Sequence, residues 1–183
     1  VVGGALSTGL VARTQRRWGR KVSFQLGLLV ALLTALLCAF ALSIGSFWLL
    51  VAGTLIAGYY SANGQLYRFA AGELAPPAFR EKAVSLVLAG GLIGAVIGPN
   101  LANYTRAAMG APFLGSYLAL AVVALVSMAV MAGIGFPAEP ARKAGADGGR
   151  PLAEIMRQPV FIVSTLAAAL GYGVMNLLMA ATP

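Results

Sequence analysis

The sequence has no histidine, a single cysteine and only five acidic residues among its 183 residues. With Cys38 as the one thiol, the chain can form neither an internal disulfide nor a zinc site made of Cys and His ligands. The acids lie outside the long apolar runs, so these runs contain no His, acid or metal-ligand cluster from which acid–base chemistry could be assembled. We therefore predict no metal site, no cofactor and no enzymatic activity.

Charge is scarce as well. Only 10% of the residues are charged, 60% are hydrophobic, and the mean hydropathy is +0.86, whereas a soluble domain carries about 25% charged residues. The net charge of +8 does not indicate nucleic-acid binding, because the basic residues lie in clusters between apolar runs and not along one solvated face. The composition predicts an integral membrane protein whose first partner is the lipid bilayer, with no nucleic acid.

Apolar stretches of about 20 residues, long enough to cross a hydrocarbon core, recur along the chain. Five are complete and contain no Asp, Glu, Lys or Arg; they cover residues 22–42, 46–67, 83–104, 113–136 and 160–181. A shorter run at residues 1–12 is interpreted as the cytoplasmic end of a truncated span. The predicted fold is an all-α, polytopic helical membrane bundle.

Basic residues alternate between the connections that join these spans. Twelve of the 13 Lys and Arg residues lie in residues 13–21, 68–82 and 137–158, and Arg106 alone lies in the others. The positive-inside rule therefore makes those three connections cytoplasmic. Within the last one, residues 151–158 place apolar side chains on one helical face and can lie along the membrane interface.

The first basic connection carries a recognisable motif. Four of its residues have the spacing of the cytoplasmic signature between the second and third spans of the major facilitator superfamily; they are Arg17, Gly19, Arg20 and Lys21. The chain resembles this family of secondary transporters over nearly its whole length. Two positions depart from the signature, because Ala12 replaces a glycine and Arg16 replaces an aspartate.

The resemblance implies a charge network at a cytoplasmic gate, for which the missing acid must come from elsewhere. Glu73 is the candidate, because Glu73 and Arg80 match the family pattern at the cytoplasmic end of the fourth span. The alternative is that these residues are solvated loop charges, worth about 0–1 kcal/mol per exposed pair.

Glycines mark one face of the predicted fifth span. Gly90, Gly94 and Gly98 recur every four residues and precede Pro99, so a neighbouring helix can approach this face closely. The pattern is similar to the fifth-span signature of the family's antiporter branches, which implies a proton-coupled exporter or antiporter in a bacterial inner membrane. Close helix packing alone also accounts for the spacing. The family's fourth-span arginine signature is absent, since the region around Gly53 is uncharged.

On this assignment the chain runs from late in span two to span seven of a twelve-span protein. Residues 1–136 form most of the N-terminal bundle, residues 137–159 form the central cytoplasmic loop, and residues 160–183 form the first span of the C-terminal bundle. The missing C-terminal half of the same protein is then a required partner.

Polar side chains inside two spans indicate a substrate cavity near the middle of the membrane. The candidates are Tyr60 and Asn63 in span four and Tyr172 and Asn176 in span seven. They carry no fixed charge, which suits a neutral or amphipathic small molecule, although membrane Tyr and Asn also bond neighbouring helices. The leading hypothesis is a secondary active transporter that works by alternating access. The alternative is a membrane scaffold or interaction protein that keeps the fold and transports nothing.

Overall fold

A computed structural model describes residues 2–136 and 152–181, and these residues form helices and no strand. The all-α fold predicted from the sequence is confirmed. The helices are α1 (Val2–Ser43), α2 (Phe47–Ile56), α3 (Gly58–Gly64), α4 (Tyr67–Leu74), α5 (Arg80–Thr105), α6 (Leu114–Gly133), α7 (Leu152–Met156) and α8 (Pro159–Ala181), with a 3₁₀ turn at Pro77–Phe79. Helices α1 to α6 form one compact unit, and α7 and α8 belong to a second.

Helix α1 is the element against which α2, α3 and α6 pack. It consists of two helical segments, residues 2–18 and 20–43, which meet at Gly19, where φ is 77° and ψ is 171°. This conformation is open to glycine and costly for other residues. The predicted connection over residues 13–21 is thus helical except at one position. The helix therefore breaks at Gly19, inside the predicted connection, and the basic residues on both sides of the break are helical because Arg and Lys are good helix formers.

The predicted span 46–67 contains α2 and α3. Ala57 lies between them and keeps helical backbone angles (φ −55°, ψ −21°), and its N–H bonds the carbonyls of Gly53 and Leu55. The path of the helix therefore continues through Ala57 with one tightened turn.

Helix α4 carries the chain beyond the predicted end of that span, as far as Leu74. Ala75 and Pro76 then have extended backbone angles, because a residue that precedes proline is disfavoured in the helical region. The Pro76-Pro77 pair in the sequence predicts that a helix does not continue through this point, and the structure confirms the break.

Three stretches of the described residues are long and apolar enough to cross a membrane: Gly3–Ser43, Pro77–Thr105 and Leu114–Gly133. Helix α5 contains Pro99 within its length. Helix α8 covers the predicted span 160–181, and its described apolar stretch is the shorter Pro159–Met175.

Small residues bring the helices of the first unit together. Gly58 lies directly against the backbone of Gly3, and a Cβ added to Gly53 would lie 2.7 Å from the sulfur of Cys38. Cys38 itself is fully buried in the core. Such contacts are typical of membrane helices, whose association depends on close packing of small side chains.

Candidate functional site

All charged residues of the first unit except Arg106 lie at one end of its helices, which we call the basic end: residues 13–21, residues 68–82 and the C-terminal end of α6. Two contacts tie these segments together. Arg20 bonds Glu73, and the Nζ of Lys21 donates to the carbonyl oxygen of Ala132 at 3.0 Å. The opposite end holds the links at residues 44–46 and 106–113.

The contact between Arg20 and Glu73 is both an ion pair and a hydrogen bond across 53 residues of sequence. Arg20 comes directly after the Gly19 break, and Glu73 lies in the last turn of α4. The side chains keep 31% and 59% of their surface exposed, so the pair is accessible to solvent ions. Its contribution to stability is in the range of a surface pair, about 0–1 kcal/mol. The ion pair connects α1 to α4.

The other predicted gate residues have different surroundings. The side chain of Lys21, on α1, reaches the C-terminal end of α6. A cation is stabilising there because the last carbonyl groups of a helix carry partial negative charge. The guanidinium of Arg17 lies 5.7 Å from the ring centre of Trp18. Arg80 is exposed at the first residue of α5. The structure therefore brings Arg20 and Glu73 together and attaches Lys21 to a third helix.

Asn63 is a hydrogen-bonding residue in the interior of the bundle. It is completely buried, its amide oxygen accepts from the hydroxyl of Ser23 at 3.0 Å, and its amide nitrogen donates to the carbonyl of Tyr59 at 3.1 Å. The Tyr59 hydroxyl in turn donates to the hydroxyl oxygen of Thr14 at 3.0 Å. Helix α3 thereby bonds both segments of α1. In this structure Asn63 is on the helix-joining side of α3 and lines none of the cavities described below.

Ser23 and Thr14 were missed by the sequence reasoning. A lone Ser or Thr in an apolar helix commonly bonds a carbonyl of its own helix, as the Thr14 hydroxyl does with Leu10 at 2.7 Å. Nothing in the spacing distinguishes such a residue from one that bonds another helix.

Tyr60 lines two adjoining cavities between α1, α3 and α6, which we call the Tyr60 cavity. Their volumes are about 100 Å³ and about 250 Å³, and both are lined by Leu28, Tyr60 and Ser127. The smaller one is also lined by Thr34 and by further residues of α1 and α6. The larger one is also lined by Tyr67.

Two hydroxyl groups of this cavity have no hydrogen-bond partner among residues 2–136 and 152–181: those of Thr34 and Tyr67. Thr34 is only 6% exposed, and the Tyr67 ring packs edge-on against Phe24 with ring centres 4.9 Å apart. An unsatisfied buried hydroxyl costs about 1–3 kcal/mol. The cavity therefore offers hydrogen bonds to a polar molecule, and no charged side chain is present in its described lining.

The glycine face of α5 borders an open groove of about 750 Å³ beside α6. Gly90, Gly94 and Gly98 all line it, and within the described part of the chain no atom lies within 4 Å of a Cβ built at these positions. At the far end of the groove the Ser116 hydroxyl donates to the Ala102 carbonyl at 2.9 Å and holds α5 to α6. The face predicted to pack closely is thus open here.

In the second unit Tyr172 lies on α8, with 52% of its surface exposed. The side chain of Asn176 lies outside the described residues. These two candidates remain predictions.

Similarity to known proteins covers the whole chain. The family model described as Major Facilitator Superfamily matches residues 1–183. A riboflavin transporter of Brucella anthropi, RfnT, is 38% identical over 186 residues, which is 100% of this chain and 46% of the relative. Two uncharacterized MFS-type transporters of Bacillus subtilis also match: YddS, 35% identical over 101 residues (55% of this chain, 23% of the relative), and YdeG, 32% identical over 133 residues (71% and 31%).

No solved structure matches the chain. The chain spans less than half the length of each of these curated relatives.

Proposed function

This chain belongs to the major facilitator superfamily, and from that premise we propose that it is part of a secondary transporter that moves a small, uncharged, hydrogen-bonding molecule across a membrane by alternating access. Family membership and the apolar helices make it an integral membrane protein, and they point to transport in place of catalysis. We propose a bacterial inner membrane as its location, with the basic end cytoplasmic, on the strength of the positive-inside rule.

The Tyr60 cavity is the observation that carries the proposal. It lies within the helices of the first unit and is lined by Tyr60 and Tyr67. It contains the hydroxyls of Thr34 and Tyr67, which bond no other group in residues 2–136 and 152–181. In this family the substrate lies near the membrane midplane between two bundles, and we propose that the Tyr60 cavity forms the first bundle's side of that site. A cavity with hydroxyl groups and no charge suits a neutral ligand better than an ion.

Riboflavin or a closely related flavin is the substrate we propose first. The relative RfnT is named a riboflavin transporter, and it matches over the entire length of this chain. Riboflavin is an uncharged flat ring system with a chain of hydroxyl groups. Tyrosine rings provide apolar faces for such a ring, and their hydroxyls bond a polyol.

Uptake and efflux of labelled riboflavin by the full-length protein in proteoliposomes tests this function. Substitution of Tyr60 or Tyr67 by Phe removes one hydroxyl and keeps the ring. We expect the KM for riboflavin to rise about two- to tenfold in each variant, because a lost hydrogen bond costs about 0.5–1.5 kcal/mol. Tyr104→Phe is the matched control, since Tyr104 is 84% exposed, and its KM should not change.

The outcomes separate the two hypotheses on function. Riboflavin flux with the expected KM pattern supports the flavin transporter. Flux of another solute with the same pattern keeps the transporter and rejects riboflavin as its substrate. No flux of any tested solute by a correctly folded full-length protein favours the non-transporting scaffold.

We propose that Arg20 and Glu73 act as part of a cytoplasmic gate. The support is their contact at the basic end, where they join the segment after Gly19 to the end of α4. A pair that is partly exposed can break and re-form as helices move, at a cost of about 1 kcal/mol or less.

Proton-coupled export by antiport is the finer proposal. Its support is the glycine pattern that ends at Pro99 and the open groove beside it, which leaves room for a helix on that face. Residues 22–42, 46–67, 83–104, 113–136 and 160–181 contain no Asp, Glu, Lys or Arg. A proton-binding acid within the membrane would therefore have to lie in another segment of the full-length protein.

A further inference from the structure

Three cations at the basic end each lie over the ring of an aromatic residue, and we call these the cation–aromatic pairs. Each ring belongs to an exposed side chain, with 44–54% of its surface accessible. The pairs, with the distance from the charged group to the ring centre, are Arg17 with Trp18 at 5.7 Å, Arg68 with Phe69 at 4.9 Å and Lys82 with Phe79 at 5.9 Å.

The three pairs belong to segments that meet at the basic end. The ion pair between Arg20 and Glu73 connects the first segment to α4. Phe69 lies one helical turn before Glu73 on α4, so these two residues share a face. Phe79 and Lys82 flank the start of α5, which packs against α4.

The local charge is strongly positive. Residues 13–21 and 68–82 contain eight basic and two acidic side chains, and one of the acids, Glu73, is bonded to Arg20. A surface of this sign attracts anionic headgroups, and the attraction decays within a Debye length.

We propose that the cation–aromatic pairs form a binding surface for anionic phospholipids at the basic end. Aromatic rings are favoured at the level of the headgroups. A cation held over such a ring is placed where a lipid phosphate lies, while the ring contacts the upper part of the acyl chains. Both anionic and zwitterionic lipids carry a phosphate that can contact the cation, but in a zwitterionic lipid the positive end of the headgroup offsets that charge, so the excess positive charge of this end favours the anionic lipid. This surface is separate from the Tyr60 cavity and is independent of the solute transported.

The opposite end provides an internal control. Arg106 lies over the ring of Phe113 at 5.0 Å, in the same geometry. It is the only charged residue between Lys82 and Glu139, so it lacks the surrounding excess of positive charge. A lone pair of this kind should not gather anionic lipid.

The test measures lipid binding to the full-length protein in nanodiscs, with fluorescent phosphatidylglycerol titrated into a phosphatidylcholine bilayer. One variant carries Arg17→Gln, Arg68→Gln and Lys82→Gln. Each removed charge should lower the affinity for phosphatidylglycerol about fivefold, so the triple variant should lose about a hundredfold. The Arg106→Gln control should bind as the unaltered protein does. Phosphatidylcholine of the same chain length should be retained equally by all three proteins.

A second variant tests the rings. Trp18→Ala, Phe69→Ala and Phe79→Ala together keep every charge, and they should weaken phosphatidylglycerol binding several-fold and weaken retention of phosphatidylcholine as well. Unchanged melting temperatures in phosphatidylcholine establish that the variants fold. Full binding by the folded charge variant, or an equal loss in Arg106→Gln, overturns the proposal. Unchanged phosphatidylglycerol binding by the ring variant would show that the charges alone bind the lipid, and it overturns the role of the cation–aromatic pairs.

Discussion

Gly58 has no room for a side chain, because the backbone of Gly3 lies directly against its Cα. The contact is between two backbones, which cannot move aside as the end of a flexible side chain can. This one residue sets how closely α3 approaches the first segment of α1, and with it the hydrogen bond from Tyr59 to Thr14.

Substitution of Gly58 by Ala should destabilise the full-length protein. Overpacking of a tight contact costs about 1–3 kcal/mol, and unfolding in detergent should therefore begin at a lower temperature or denaturant concentration. Gly9→Ala is the matched control, since Gly9 is exposed in α1 and a Cβ there meets nothing within 4 Å in the described structure. Equal stability of the two variants would show that the helices separate freely at Gly58.

Asn63 and Tyr60 illustrate how the direction of a side chain around a helix decides what it contacts. They lie three positions apart and share a face by spacing, yet positions three apart differ by about 60° around a helix. That difference turns Asn63 towards Ser23 on α1 and leaves Tyr60 at the cavity wall. Of the two span-four candidates, only Tyr60 is carried into the proposed substrate site.

At the scale of whole elements, helix extends further into the basic end than the sequence interpretation had it. Residues 13–21 were predicted to connect two spans, and the break between the two segments of α1 does lie within them, at Gly19, with helix on both sides. Helix α4 also extends beyond the predicted span. Arg20 lies on α1 and Glu73 on α4, so helical backbone holds both side chains at this end. That is why the two residues can meet.

The gate proposal predicts a defined pattern in charge variants. Glu73→Gln should change the rate of solute flux by about two- to fivefold, since a pair worth 0.5–1 kcal/mol shifts a two-state population by that factor. Arg20→Glu should do the same, and the combined exchange Arg20→Glu with Glu73→Arg should restore most of the rate. The measurement is initial flux in proteoliposomes.

Glu81→Gln is the control for this series, because Glu81 is an exposed acid in the first turn of α5 at the same end. Its flux should match that of the unaltered protein. If the combined exchange is as slow as either single variant, the contact between Arg20 and Glu73 has no part in gating.

For the whole molecule, the distribution of charged residues bears on whether transport is coupled to protons. The predicted spans are free of fixed charge, and the basic residues are concentrated at one end of the first unit. By the positive-inside rule this arrangement favours the orientation proposed above, and the predicted spans contain no ionisable Asp, Glu, Lys or Arg that could carry a proton.

Proton antiport predicts that solute flux by the full-length protein in proteoliposomes follows an imposed pH gradient. Flux should rise when protons can flow opposite to the solute, and a protonophore should return it to the rate of facilitated exchange. A rate that is indifferent to both the gradient and the protonophore would establish facilitated diffusion and remove the antiport proposal.

The sequence by itself determined the all-α fold, the apolar stretches, the alternation of basic connections and the helix break at Pro76-Pro77, because each depends on properties of neighbouring residues. Hydropathy, charge and the lost N–H of proline act locally. Family membership could also be recognised from short motifs.

Only the tertiary structure decided which residues meet. The family resemblance put Glu73 in a charge network with the basic residues, but only the structure showed that its partner is Arg20, 53 residues away. Ser23 and Asn63 are 40 residues apart, and no local pattern specifies that pair. The structure also showed that the glycine face of α5 borders an open groove. It showed that Thr34 and Tyr67 contribute to a cavity hydroxyls that have no partner in the part of the chain it describes. Which residues meet and where cavities form depend on how closely the helices approach one another. That approach is determined by many contacts between small residues across the whole bundle, such as Gly58 against Gly3.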